Sequence, residues 1–167
     1  MSGKAFEGRK NGFVLERTGD TMVVSRKRAL LLAPIDAVWE TMLAVDCYQW
    51  RRDWKKTEVR SKTQWVEYPK KGNPVTFTTT CIKPRKRWEF DMEQAAMRGH
   101  WIGVFRARGE KTEVDFTEMV QVKNPLLRPI LKWYLKKQQA QFVADLQRAL
   151  LRQKKQSRQK AEREGRT

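Results

Sequence analysis

The stretch from Asn124 to Leu151, NPLLRPILKWYLKKQQAQFVADLQRALL, is the longest periodic segment of this chain, and it constrains everything before it. Apolar residues fall at Leu127, Leu131, Tyr134, Leu135, Phe142, Leu146, Ala149 and Leu150, in steps mostly of three and four. That spacing predicts one amphipathic helix with a single apolar stripe. Pro125 suits a first turn, where its missing N–H has no intrahelical partner in any case, and Pro129 places the start of regular helix just beyond itself. Lys132, Lys136, Lys137, Asp145 and Arg148 lie mostly off the stripe. Roughly seven turns is long for a globular helix, so something broad must cover it.

The upstream chain supplies strands. Thr21 to Leu32 reads as the first, with Val24, Arg26, Arg28, Leu30 and Leu32 on one face and Val23, Ser25, Lys27, Ala29 and Leu31 on the other. Neither face begins cleanly apolar, which predicts an edge strand or a frayed beginning. Ala33-Pro34-Ile35-Asp36 then opens a short helix carrying Ile35, Val38, Trp39, Met42 and Val45 at helical spacing. Asp46 is a plausible cap for a second short turn, Cys47 to Trp54. Six strand-like runs follow without a helical interruption: Thr57 to Lys62, Gln64 to Tyr68, Pro74 to Ile82, Arg87 to Glu93, His100 to Arg108 and Thr112 to Val122. Turn-forming separators such as Pro69 to Asn73 and Gly109-Glu110-Lys111 divide them. Trp88, Phe90 and Met92 alternate with Arg87, Glu89, Asp91 and Glu93, so one sheet face is apolar and the other solvated. No parallel crossover is suggested, and the sheet is expected to be antiparallel.

At 167 residues the chain is long enough for one domain with a real core. Its 36 Lys+Arg against 19 Asp+Glu give a formal charge of +17, which predicts attraction to anionic surfaces. That charge is spread out, with seven basic and two acidic residues between Arg152 and Thr167. Met1 to Thr21 is expected to be a flexible lead-in, and residues 152–167 a basic tail that either extends the helix and then frays or is a solvated, disordered end. No apolar run approaches a membrane span, and Met1 to Phe13 lacks the apolar core of a secretory signal. Cys47 and Cys81 have no metal-type spacing, and a single histidine cannot complete an all-His/Cys zinc site. Reduced thiols, a cytoplasmic location and the absence of metal and cofactor are the expectations. No P-loop, dinucleotide fingerprint or nucleophile elbow is present.

Taken together, the order strand, two short helices, six strands, long helix, with Ala33, Pro34, Val38, Trp39, Asp46 and Trp50 at their spacing, resembles the START-like (SRPBCC) superfamily. That group includes polyketide cyclase/dehydrase-like proteins, the birch-pollen-allergen fold and steroidogenic-acute-regulatory-related lipid-transfer domains. The resemblance spans about residues 22–151. It implies an α+β helix-grip fold: a curved seven-stranded antiparallel sheet wrapped around the long C-terminal helix, with two short helices after the first strand. It also implies an internal cavity between sheet and helix that takes molecules with a large apolar body. Aromatic residues of the concave face and mouth then become cavity candidates: Trp50, Trp88, Phe90, Trp101, Phe105 and Phe116 from the sheet and its mouth, with Tyr134 and Phe142 from the helix. Gln138 interrupts the helix stripe, either as a ligand-facing amide or where the helix meets solvent. Gly103 and Ala107, in phase with Trp101 and Phe105, leave room either for a ligand or for close approach of the helix.

Glu118 is the most informative polar residue. Val114, Phe116, Val120 and Val122 share one alternation phase, and Glu118 falls in its middle. A carboxylate buried unpaired costs several kcal/mol, so it needs a partner, a shifted pKa or cavity water. Two readings stand: a polar anchor or general base in the cavity, or a β-bulge that turns Glu118 outward. His100 is a second catalytic candidate, expected at a rim or on the surface. Glu89, Asp91, Glu93, Glu113 and Asp115 read as a solvated stripe. The functional expectation is binding or transport of a small hydrophobic or amphipathic molecule, lipid-, sterol- or polyketide-like. The alternatives are a cyclase/dehydrase-like enzyme using Glu118, with His100 or Tyr134, and a basic protein meeting anionic membrane or nucleic acid. Oligomeric state is not legible.

Overall fold

A computed structural model describes residues 22–95 and 97–165. The expected lead-in, residues 1–21, lies outside the described residues. Seven strands, β1 (Met22–Leu31), β2 (Trp54–Val59), β3 (Gln64–Pro69), β4 (Val75–Lys83), β5 (Arg87–Gln94), β6 (Met97–Arg108) and β7 (Lys111–Val122), form one sheet in the order β1-β7-β6-β5-β4-β3-β2. Every pairing is antiparallel. β1 is an edge, as its mixed faces predict, and the chain crosses to the opposite edge through helix α1 (Ile35–Leu43) and a 3-10 turn, Tyr48–Trp50. The long helix α2 (Arg128–Glu164) follows a second 3-10 turn, Pro125–Leu127.

Local chemistry explains the element ends. The Asn124 side chain accepts a hydrogen bond from the Leu126 N–H at 3.0 Å, capping the turn that leads into α2. Helix α2 starts at Arg128, so Pro129 lies inside the first turn, where it removes no helical hydrogen bond. Pro34 sits just before α1, and Asp36 in its first turn pairs with Arg85. In the β6–β7 hairpin Gly109 has φ +62°, a left-handed backbone that glycine adopts without a Cβ clash.

Several boundaries differ from expectation: α2 starts at Arg128 and not beyond Pro129, β2 ends at Val59 and not Lys62, α1 ends at Leu43, and four further differences have clear local causes. Trp54 does not end the second short turn; it opens β2 and is buried, and the β2 register shifts between Trp54 and Lys56, which hides the strand start from an alternation count. The short turn is only Tyr48–Trp50, and Asp46 does not cap it. β6 begins at Met97, three residues before His100, because the small Gly99 continues the ladder opposite Met92. Helix α2 continues past Leu151 to Glu164 although every residue in that extension is exposed. Arg152–Glu164 holds no Gly or Pro and is rich in Gln, Lys, Arg and Glu, all good helix formers, so of the two forms expected for the tail the structure takes the helical one, through Glu164, and not the disordered one.

The core lies between the inner sheet face and α2. Trp65, Phe77, Trp88, Phe90, Trp101 and Phe116 from the sheet are buried together with Leu146 and Leu150 of the helix, and Val38 and Trp39 of α1 join them. Asp145, expected off the stripe, is 1% exposed: it accepts hydrogen bonds from the Arg52 backbone N–H at 3.2 Å and Nε at 2.9 Å. That pair pins the loop before β2 to the helix. Leu32 N–H donating to Gln147 Oε1 at 2.9 Å does the same for the end of β1. Cys47 and Cys81 are both free thiols. No helix among the described residues is long and apolar enough to cross a membrane.

Candidate ligand cavity

The inner aromatics do not fill the space they enclose. A cavity of about 560 Å³ remains between the sheet, the Tyr48–Trp50 turn and the first half of α2. That is the size range of small-molecule sites. Its walls are aromatic pairs on neighbouring strands: Trp65 stacks on Phe77 with centroids 5.2 Å apart, and Phe90 on Trp101 at 4.7 Å. Phe142 of α2 closes the opposite side, 5.4 Å from Trp50 and 5.9 Å from Phe116. The exposed lining residues Lys70, Lys71, Gly72, Asn73 and Tyr134 mark where the cavity meets solvent.

Nine of the ten residues expected at the cavity line it: Trp50, Trp88, Phe90, Trp101, Phe116, Glu118, Tyr134, Gln138 and Phe142. Phe105 does not. It lies edge-on to Trp39 at 5.2 Å, in the core beneath α1, because β6 runs beyond the cavity toward that helix. Gly103 makes room for neither ligand nor helix: a Cβ there would stand 2.3 Å from the Trp101 ring, so the glycine lets that indole lie flat along its own strand.

Glu118 points inward. Its register is unbroken against both neighbours, opposite Ser25 of β1 and Trp101 of β6, so no bulge turns it out. The residue is buried, and desolvation pushes its carboxyl pKa up to about 7, against a hydrogen bond from Gln139 and the charge of Arg51, which favour the ionised form. Gln139 is itself fixed by Ser25, whose Oγ donates to Gln139 Oε1 at 2.8 Å, while Gln139 Nε2 donates to the Ser25 carbonyl at 3.3 Å. Near the mouth, Tyr134 has its pKa raised by burial and by the charges of Asp53 and Glu118.

A second polar group in the cavity was not foreseen. Arg51 Nη1 donates to both Glu67 oxygens at 3.0 and 2.9 Å, and Trp65 Nε1 donates to Glu67 Oε1 at 3.0 Å. The Arg51 guanidinium lies 4.2 Å from the Trp54 ring centroid and 5.3 Å from that of Phe142. Arg51 Nε and Trp54 Nε1 are buried donors with no hydrogen-bond partner among the described residues. Glu67 carries the same signal as Glu118, a carboxylate in the phase of a buried aromatic, Trp65. Arg51 lies in an irregular segment where no period applies.

His100 is not at the cavity. It projects from the outer sheet face between Asp91, 2.7 Å from Nδ1, and Glu89, 3.2 Å from Nε2. Burial raises the Glu89 pKa, but hydrogen bonds from Arg87 and His100 outweigh it and hold the carboxyl below its ordinary value. The acidic stripe is therefore paired: Arg26 and Arg28 bind Asp115, which is buried, and Arg106 and Arg108 bind Glu113. Among the described residues no group of three or more His, Cys, Asp or Glu is arranged to hold a metal ion.

An antiparallel seven-stranded sheet closed over a long C-terminal helix, with a cavity between them, is the START-like helix-grip fold. Among solved structures, a START superfamily protein from Mycobacterium smegmatis superposes with a TM-score of 0.68 at 15% identity, covering 77% of this chain and 97% of that one. The Zhui aromatase/cyclase from a Streptomyces species gives 0.66 at 16% identity, covering 78% and 94%. Norcoclaurine synthase from Thalictrum flavum, in complex with dopamine and hydroxybenzaldehyde, gives 0.64 at 9% identity, covering 89% and 98%. No protein-family model and no curated protein sequence matches the chain.

Proposed function

We propose that this protein binds or carries a small hydrophobic or amphipathic molecule, lipid-, sterol- or polyketide-like, between the sheet and α2. The observation that carries this reading is the open volume of about 560 Å³ walled by aromatic rings. A protein selected for stability alone gains by closing such a space, because its lining forfeits packing contacts. Of the polar residues that line the space, Arg51, Glu67, Glu118, Gln138 and Gln139 are buried or half-buried within it, while Lys70, Lys71 and Asn73 stand at its exposed rim, which suits a ligand with an apolar body and a polar end. Arg51 Nε and Trp54 Nε1 are donors that such an end can satisfy. A cytoplasmic carrier, working without metal or cofactor, is the form this reading takes. Native mass spectrometry of freshly purified protein, followed by organic extraction, tests it. A reproducible hydrophobic adduct is expected; a clean apo mass, with no quenching of tryptophan fluorescence by lipid, sterol or aromatic polyketide probes, defeats it.

One observation favours a second reading. A carboxyl with a pKa of about 7 inside the cavity is suited to give and take a proton at neutral pH. Under this reading the protein is a cyclase/dehydrase-like enzyme with Glu118 as its acid or base. Glu118→Gln separates the two. A carrier keeps its ligand, whereas an enzyme loses about a hundredfold or more in rate on the compound extracted from the wild type.

A further inference from the structure

Where α2 begins, the chain leaves its largest apolar side chains uncovered. Leu126 is 82% exposed, Ile130 65%, Trp133 63%, Tyr134 51% and Leu127 48%. These five fall within nine consecutive residues, and two turns of helix gain nothing in water by displaying Ile, Trp and Tyr together. The same turns send Leu131 and Leu135 inward, so core packing does not account for the exposed set. Cations surround it. Lys123, Arg128, Lys132, Lys136 and Lys137 lie in or beside the segment, and no carboxylate occurs between Glu118 and Asp145. Lys137 Nζ sits 5.2 Å from the Trp133 ring centroid. Lys70 and Lys71 stand on the exposed rim of the cavity, whose lining also includes Leu131 and Tyr134.

An apolar cluster with tryptophan at its centre and lysines around it matches one partner best. The apolar side chains suit the boundary between headgroups and acyl chains, and each nearby lysine or arginine is attracted to anionic lipid. Nucleic acid would use the cations but not Leu126 or Ile130. A second copy would cover the apolar cluster only by bringing two strongly cationic surfaces together. We propose that the segment from Leu126 to Lys137 docks on the surface of an anionic phospholipid bilayer, with the mouth of the cavity turned toward the lipid. This rests on the outer surface of α2 and holds whether or not the cavity carries a ligand.

The full-length protein, its Ile130→Ser/Trp133→Ser double variant and a chain ending at Leu151 would be sedimented with mixed phosphatidylcholine–phosphatidylglycerol vesicles and with phosphatidylcholine alone, at physiological ionic strength. Both substituted residues are exposed, and circular dichroism with thermal melting verifies that the fold is kept. The wild type should bind the mixed vesicles and not the neutral ones. The double variant should lose about tenfold or more in affinity, and removal of Arg152 to Thr167 should cost less than that. Three results would overturn the proposal. One is no binding of wild type to mixed vesicles. Another is equal binding by the double variant, which would mean adsorption by charge alone. The last is a dimer abolished by the double variant in a protein that ignores vesicles.

Discussion

Strand β7 carries two buried carboxylates three residues apart, and the sheet gives them opposite treatment. Asp115 faces outward, where Arg26 and Arg28 reach it from the edge strand β1; hydrogen bonds from Arg26 and then Arg28 outweigh its partial desolvation and hold its pKa below the ordinary value. Glu118 faces the cavity, meets an amide in place of a cation, and has its pKa raised to about 7. Burial is common to both, 5% and 9% exposed. The difference is the partner. Arginines on a solvated face can swing to a carboxylate at little cost, whereas the one guanidinium of the cavity, Arg51, is already held by Glu67. The outer face therefore stores its carboxylates as ion pairs, and the inner face keeps one carboxyl able to change its charge near neutral pH.

The largest effect should come from giving the inner face a second carboxyl with no cation paired to it. Arg51→Met keeps most of the side-chain volume and removes the guanidinium from Glu67, whose side chain is 6% exposed. Breaking a buried pair from one side costs about 3–5 kcal/mol. Urea unfolding should show a loss of that order at neutral pH. A loss no greater than that of a surface ion pair would mean that water already shields this pair, and the contrast between the faces would weaken.

Glu118→Gln should act in the other direction. A carboxyl whose pKa rises from 4.5 unfolded to about 7 folded binds its proton more tightly in the native state. Between those values stability falls as pH rises, and above the upper one the full penalty remains. At 1.36 kcal/mol per unit the penalty is about 3 kcal/mol. The wild type should therefore melt at a higher temperature at pH 5 than at pH 8, and Glu118→Gln should remove most of that difference while stabilising the protein in alkali. An unchanged pH slope in the variant would show that Glu118 is ionised in the native state through a contact with water or cation.

This contrast was half visible in the chain itself. The succession of strands along the chain and the long helix follow from alternation and period, because burial repeats every second residue in a strand and every third or fourth in a helix. The antiparallel sheet follows from strands that succeed one another without a helical crossover. Glu118 stood out by the same rule, as a carboxylate in the phase of Val114 and Phe116, and Glu67 in the phase of Trp65 could have been found that way. Arg51 and Gln139 could not. Arg51 lies in an irregular loop, and Gln139 is a polar residue beside the stripe whose role depends on Ser25 facing it from 114 positions away. Asp115 read as solvated because alternation assigns a face and says nothing of two arginines on the next strand covering it. Helix α2 outran its apolar stripe because helix propensity carries a segment that buries nothing.

The smallest effect should come from Asp115→Asn. It removes the charge that Arg26 and Arg28 share, but their side chains are 55% and 66% exposed, so water rehydrates both guanidinium groups at once. The expected cost is a fall of about a few degrees in Tm at neutral pH, smaller than that of Arg51→Met. Its pH signature has the opposite sign to that of Glu118. A carboxyl with a lowered folded pKa lends stability above its unfolded value and gives it up as pH falls through the folded one, so part of the wild-type loss in acid should be missing from the variant. If Asp115→Asn instead costs as much as Arg51→Met, the two arginines are held as rigidly as Arg51, and a solvated face does not by itself make an ion pair cheap to lose.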